Sequence, residues 1–222
     1  MIKIITIDRE YGSGGAAIAQ KLATQRGWKL WDQELTCEIA RLMKCDRSTI
    51  EKREEKSDSL YYRLLKSFMR GGFEGNSNLQ PLELLDSDAM AHLTERVVRN
   101  AASEGKCVIV GRGSAYFLQD APHVFHVFSY ATREAKLRRL RQQGKSWSEA
   151  EHLIDTVDAE RATFIKHYYR KCWPDRQLFD LMINTSGGED VAVEVINAAI
   201  KAQEARDIDH AVLTEVSSPN CP

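Results

Sequence analysis

The stretch Ile4-Ile5-Thr6-Ile7-Asp8-Arg9-Glu10-Tyr11-Gly12-Ser13-Gly14-Gly15-Ala16-Ala17 constrains the fold more than any other part of the 222-residue chain. A β-branched run passes into a glycine-rich turn and then into an alanine-rich helix. In that order a strand delivers the turn, glycines let backbone N–H groups approach an anion, and the helix N-terminus adds the positive end of its dipole. Tyr11, Gly12, Ser13, Gly14, Gly15 and Ala16 are therefore the expected phosphate-binding residues. The pattern G-x-x-x-x-G-K-[ST] sharpens the comparison. With Gly14 as its second glycine, Arg9 falls on the first, Gly15 on the lysine and Ala16 on the hydroxyl residue. The loop is shaped for phosphate yet lacks the usual cation and metal-binding hydroxyl.

Strands are predicted at 3–7, 29–31, 107–111, 124–129 and 181–184. The runs Val108-Ile109-Val110 and Leu181-Met182-Ile183 lack alternation, as strands covered on both faces do. Helical patterns lie between them: 16–25 with Gly27 as its cap, 33–43, 48–56, 60–69, 84–103, 133–143, 147–157, 159–169 and 190–204. Alternating strands and helices give an α/β fold with a parallel sheet and its ligand at the C-terminal strand ends. One domain is expected over 1–205, with a loop at 71–80 and a flexible tail at 206–222.

Thirty-one basic residues against 32 acidic ones leave a net charge of -1, which gives no general pull toward nucleic acid. No apolar run is long enough to span a bilayer and no secretory leader is visible, so a cytoplasmic protein without a membrane partner is expected. The cysteines Cys37, Cys45, Cys107, Cys172 and Cys221 are scattered and form no C-x-x-C, as in a reducing compartment. His123 and His126 stand three apart on a predicted strand and so point to opposite faces. No metal ligand set is assigned.

Three further constellations carry chemistry. In Val108-Ile109-Val110-Gly111-Arg112-Gly113, an arginine between glycines ends a buried strand, where its planar fork can grip phosphate or close a turn as an ion pair. Arg133, Lys136, Arg138, Arg139, Arg141 and Lys145 crowd one helical segment and the turn after it. Such a run is usually a solvated face, but two basic helices joined by a short turn can also form a lid over phosphates. Asp158 and Arg161 lie one helical turn apart on the later helix, as a local ion pair or as part of that lid.

In this order the pieces resemble the cytidylate kinase-like group of nucleoside monophosphate kinases, from Ile4 to about Ile200. The likeness rests on Ile5–Gly15, Trp31-Asp32-Gln33-Glu34-Leu35, the Gly111-Arg112-Gly113 strand end, Arg138-Arg139, Asp158-x-x-Arg161 and Phe179-Asp180-Leu181-Met182-Ile183-Asn184-Thr185-Ser186. It implies a P-loop NTPase-type three-layer α/β/α fold with a five-stranded parallel sheet. A helical acceptor-binding region at 33–104 and a short lid at 133–172 would complete it. It further implies ATP and Mg2+, small nucleotide substrates, Arg112 and Arg161 on the acceptor phosphate, and Asp158 on its base or the lid. Arg138 or Arg139 would be lid cations and Asp32 would sit at the acceptor pocket.

Standard cytidylate kinases keep the loop lysine and hydroxyl, an aspartate where Gly113 stands and an arginine where Ile154 stands. In the closer cytidylate kinase-like subgroup, Arg-Glu-Tyr-Gly-Ser-Gly-Gly, as at 9–15 here, is itself the usual form. Arg9 is the candidate replacement for the lysine, with Asp8, Glu10 or water left to anchor Mg2+. Phosphoryl transfer from ATP to CMP, dCMP or a related acceptor is the expected activity. A nucleotide-binding sensor without turnover is the alternative. An NAD-dependent oxidoreductase ranks lower: Gly12-x-Gly14-x-x-Ala17 fits the dinucleotide fingerprint, but four residues separate it from the strand. Oligomeric state is open.

Overall fold

A computed structural model of the chain describes residues 1–32, Glu34, Leu35, Glu38, Ile39, Leu42 and 87–216. The predicted helices at 48–56 and 60–69 and the loop at 71–80 lie outside them. Among the described residues the order is β1 (Ile4–Arg9), α1 (Gly15–Arg26), β2 (Lys29–Trp31), α2 (Ser87–Ser103), β3 (Cys107–Val110) and α3 (Ser114–Phe117). Then follow β4 (Val124–Tyr130), α4 (Arg133–Gln142), α5 (Trp147–Tyr169), β5 (Leu181–Asn184) and α6 (Glu189–Val216). The short stretch of helix at Glu34, Leu35, Glu38, Ile39 and Leu42 precedes α2.

Five strands pair in parallel in the order β2-β3-β1-β4-β5. The dinucleotide-binding order 3-2-1-4-5-6 is different, which counts against the oxidoreductase reading. Side-chain alternation divides the core. Ile5, Ile7, Val108, Val110, Phe125 and Val127 pack beneath α1 and α6, against Ile18, Leu22, Val193 and Ile196. Ile4, Cys107, Ile109 and Val124 face the other way, toward Leu35, Ile39, Val97, Val98 and Phe117. Three layers result. Ile18 and Leu22 are fully buried, each contributing about 1.5–3 kcal/mol of apolar burial.

The same parity places the chemistry. Arg9 follows Ile5 and Ile7 onto the α1 side of β1, whereas Asp8 follows Ile4 and Thr6 onto the other. Chain direction makes the crevice. From β1 the chain crosses outward to β2, and from β3 it crosses back over β1 to β4, so β1 and β3 part at their C-terminal ends. β1 pairs with β3 only through Ile7 but with β4 as far as Arg9 opposite Ser129.

Three elements differ from the sequence expectation. The helices predicted at 147–157 and 159–169 are one helix, α5, because Asp158 and Arg161 interrupt its apolar face to serve the loop rather than to end it. Helix α6 continues past Arg206 to Val216, since no glycine or proline intervenes. Helix α3 starts directly after Gly113, a left-handed residue at φ 69°, and had too few residues to show periodicity. Gly27 caps α1 as expected, with φ 61° and its N–H on the carbonyls of Ala23 and Thr24.

Candidate active site

The phosphate turn lies between β1 and α1 as the sequence implies. Gly12 and Gly14 have φ of 74° and 79°, and Gly14 stands at the N-cap of α1 with no side-chain cap. The first amides of α1 therefore face the loop, the arrangement that receives an anion. Ser13 Oγ lies 3.1 Å from Ser129 Oγ, so that hydroxyl is tied to β4.

Helices α4 and α5 close over this turn through charged contacts. Lys136 Nζ is 2.6 Å from Glu10 and 3.7 Å from Asp158. Asp158 accepts the Tyr11 N–H at 2.8 Å, and Arg161, 3.1 Å from Asp158, donates to the Arg9 carbonyl at 2.9 Å. Arg139 donates to the carbonyls of Gly12 and Thr185, and Thr185 Oγ1 donates to the Ser13 carbonyl at 2.6 Å. Tyr11 is buried beneath the pair, against Leu140, Ala150, Ile154 and Val157. The cavity left at the turn is about 60 Å³, lined by Arg9, Glu10, Gly14, Ala16, Arg161 and Glu189 among others.

Behind the turn, Arg112 is buried with φ 59°, between Gly111 at 63° and Gly113 at 69°. Three successive left-handed residues reverse the chain and send the Arg112 side chain inward. Its Nη1 lies 3.4 Å from Asp32 Oδ1 and donates to the Val110 carbonyl at 3.1 Å. A non-glycine residue in this region costs about 1–2 kcal/mol. The ion pair weighed from the sequence is present, and it holds the guanidinium at the strand ends.

Arg9, Arg112 and Arg161 are each at most 6% exposed, with Asp8, Asp32 and Asp158 interleaved among them. Burial, then the charges of Arg161 and Arg112, draw Arg9 down to about 10, which leaves it protonated at neutral pH. Burial raises the carboxyl of Asp8 against the opposing pull of Arg9 and Arg161 and a hydrogen bond from Trp173 Nε1 at 3.2 Å. Asp158 is likewise raised by burial, despite Arg161, Lys136 and the Tyr11 amide.

The structure thus gathers Arg9, Tyr11, Gly12–Ala16, Arg139, Asp158 and Arg161 at the turn, and Asp32 with Arg112 beside it. Arg138 is apart: it is solvent-exposed, 3.9 Å from Glu134 on its own helix. Lys136 stood in the basic run and Thr185 in the stretch 179–186, neither with a role of its own, and Ser129 and Trp173 were not singled out from the sequence. Among the described residues no three His, Cys, Asp or Glu side chains cluster as a metal site. Glu10 and Glu189 do line the turn's cavity. Cys107 is buried, its thiol pushed up to about 12 by burial, and so is no nucleophile.

The cytidylate kinase-like family model matches residues 4–187, which span both the turn and the Arg112 and Asp158–Arg161 positions. The chain belongs to the cytidylate kinase-like family. Its general chemistry is accordingly that of a phosphotransferase. No curated protein matches the chain in sequence. Among solved structures, this cytidylate kinase-like chain is similar to an uncharacterized protein from Eubacterium ventriosum ATCC 27560. The TM-score is 0.63 at 23% identity, covering 90% of this chain and 99% of that one. It is also similar to TT1252 from Thermus thermophilus, with TM-score 0.51, 16% identity and coverage of 91% and 97%. A shikimate kinase from Bacteroides thetaiotaomicron follows at TM-score 0.50 and 15% identity, covering 90% and 99%. These likenesses establish a shared fold. Among the described residues no helix is long and apolar enough to cross a membrane.

Proposed function

We propose that this cytidylate kinase-like protein transfers the γ-phosphoryl group of ATP to CMP, dCMP or a related small phosphate-bearing acceptor. The observation that carries the reading is the meeting of an uncapped α1 N-terminus with three buried guanidiniums at the β1–β3 crevice. Donor phosphates belong on the amides of the turn, and the acceptor phosphate belongs on Arg112 and Arg161. Asp32 holds Arg112 in place for the anion, and Asp158 keeps Arg161 at the turn until nucleotide enters. Arg139, already on the Gly12 carbonyl, serves as the lid cation, and Arg138 can join it only if α4 turns.

A cavity of about 60 Å³ is far below the 300 Å³ or so that ligand pockets of this kind occupy. Nucleotide entry therefore lifts α4 and α5 and breaks the contacts of Lys136, Arg139 and Arg161 to the turn. Those cations are then released for phosphate. Magnesium fits as a passenger of the triphosphate, since Ala16 offers no hydroxyl and Glu10 and Glu189 are the carboxylates at hand. When bound, the ion neutralises phosphate charge. That same sparse metal environment is what favours the second reading, nucleotide binding without turnover.

Calorimetric titration with CMP and dCMP tests the acceptor grip. Micromolar binding that weakens by about 1.5–3 kcal/mol in Arg112→Ala supports it, the worth of a charged hydrogen bond. Equal affinity in wild type and Arg112→Ala overturns it.

A further inference from the structure

Gly15 occupies the lysine position of the phosphate-loop pattern, and the structure shows what fills the space a lysine would need. A Cβ at Gly15 would stand 2.6 Å from Ser129 Oγ, 2.8 Å from Arg9 Cβ and 3.2 Å from Arg9 Cδ. The stem of Arg9 already runs there. At the far end of the same side chain, a Cβ at Gly111 would lie 2.0 Å from Arg9 Nη1. Two glycines from separate elements thus clear the path of one side chain, Gly15 where α1 begins and Gly111 where β3 ends. Gly111 and Arg9 are 102 positions apart in sequence, so no local turn requirement couples them.

That path crosses the crevice from the start of α1 to the end of β3, between the places proposed above for donor and acceptor. On one side are the amides of α1, and on the other are Arg112 and Asp32. Arg9 and Arg161 line the cavity at the turn together, and Arg161 donates to the Arg9 carbonyl. We propose that Arg9 is the catalytic cation of this loop, delivered from the end of β1 instead of from α1, and that its guanidinium contacts the phosphoryl group in transit. The proposal rests on the phosphotransferase reading.

In the step, an oxygen of the acceptor phosphate attacks the γ-phosphorus of ATP. The bond from that phosphorus to the β–γ bridging oxygen breaks, and its electron pair leaves with ADP. Arg9 neither gives nor takes a proton. Its charge lies against the non-bridging oxygens, where negative charge must be held throughout transfer. An arginine suits a buried site because it keeps its proton where a lysine loses it more readily. Asp8 and Asp32 offset the mutual repulsion of the three guanidiniums.

Full-length protein, ATP, magnesium and the acceptor turned over best provide the test, with kcat, KM and Tm measured for wild type, Arg9→Ala and Gly15→Lys. Arg9→Ala should lower kcat by about 10²–10³-fold, while KM for the acceptor moves less than about tenfold. Ethylguanidinium added to Arg9→Ala should restore part of the lost kcat and leave wild type unchanged. Gly15→Lys should be inactive and less stable, because its Cβ has no room. A kcat in Arg9→Ala within about threefold of wild type overturns the proposal, and so does a loss that ethylguanidinium leaves unrelieved. Wild type inactive on every acceptor removes the phosphotransferase reading itself. An active wild type with an unimpaired Arg9→Ala removes only the role of Arg9.

Discussion

Gly113 shows how tightly single positions are held. A Cβ there would meet Tyr169 Cε2 at 3.1 Å, on a backbone already at φ 69°. An aspartate at this place, as expected in standard cytidylate kinases, does not fit unless Tyr169 moves. Gly113→Asp should destabilise by about 1–3 kcal/mol in a urea melt, and an unchanged midpoint would contradict this. Asp8 makes the opposite case. Burial raises its folded pKa above the ordinary 3.8, so its contribution is most favourable below that value and is lost as pH rises through the folded one. Asp8→Asn, which keeps an acceptor for Trp173 Nε1, should raise Tm at pH about 7 and give no gain near pH about 3. A lower Tm at neutral pH would mean that the pairing with Arg9 and Arg161 outweighs burial.

At the scale of elements, the sheet was the most legible part, because strands covered on both faces are apolar runs bounded by turns. All five strands fall within two residues of their expected ends. The phosphate turn was legible for a related reason: glycines that need positive φ advertise themselves. Lys136 was not. Nothing local separates it from Arg133 or Arg138 in the basic run, and only the packing of α4 on the turn makes it the buried one. Asp158 misled in the other direction, since a carboxylate facing the loop reads as a break in an apolar stripe. Ile154, where an arginine was expected, packs with Tyr11 and Leu140 under the lid. Ile154→Arg should therefore cost about 2–4 kcal/mol in chemical denaturation rather than add an acceptor contact. Across β1 and β4, Thr6 Oγ1 lies 2.7 Å from Nδ1 of the buried His126, whose backbone N–H donates to Asp180 Oδ2. Burial depresses the His126 pKa, so its stabilising contribution is present above about pH 6.5 and lost as pH falls toward the folded value. The fall in Tm between pH about 7 and 5 should be shallower in His126→Gln, and an equal slope would contradict this.

For the whole molecule, strand order, loop and arginines form one argument. The order β2-β3-β1-β4-β5 parts β1 from β3, and the parting makes room for a side chain to run from one to the other. The acceptor's identity was not legible: Asp158, the residue the resemblance set on its base or the lid, is engaged instead with the Tyr11 N–H, Arg161 and Lys136. Phosphoryl transfer itself tests the central claim most directly. Purified protein with ATP and magnesium, offered CMP, dCMP, UMP, AMP, GMP and TMP in turn, is followed for diphosphate formation by chromatography. Turnover is expected with CMP or dCMP favoured, and much reduced in Arg112→Ala at low acceptor concentration. ATP bound without diphosphate from any acceptor would contradict it and leave a nucleotide-binding protein that performs no transfer.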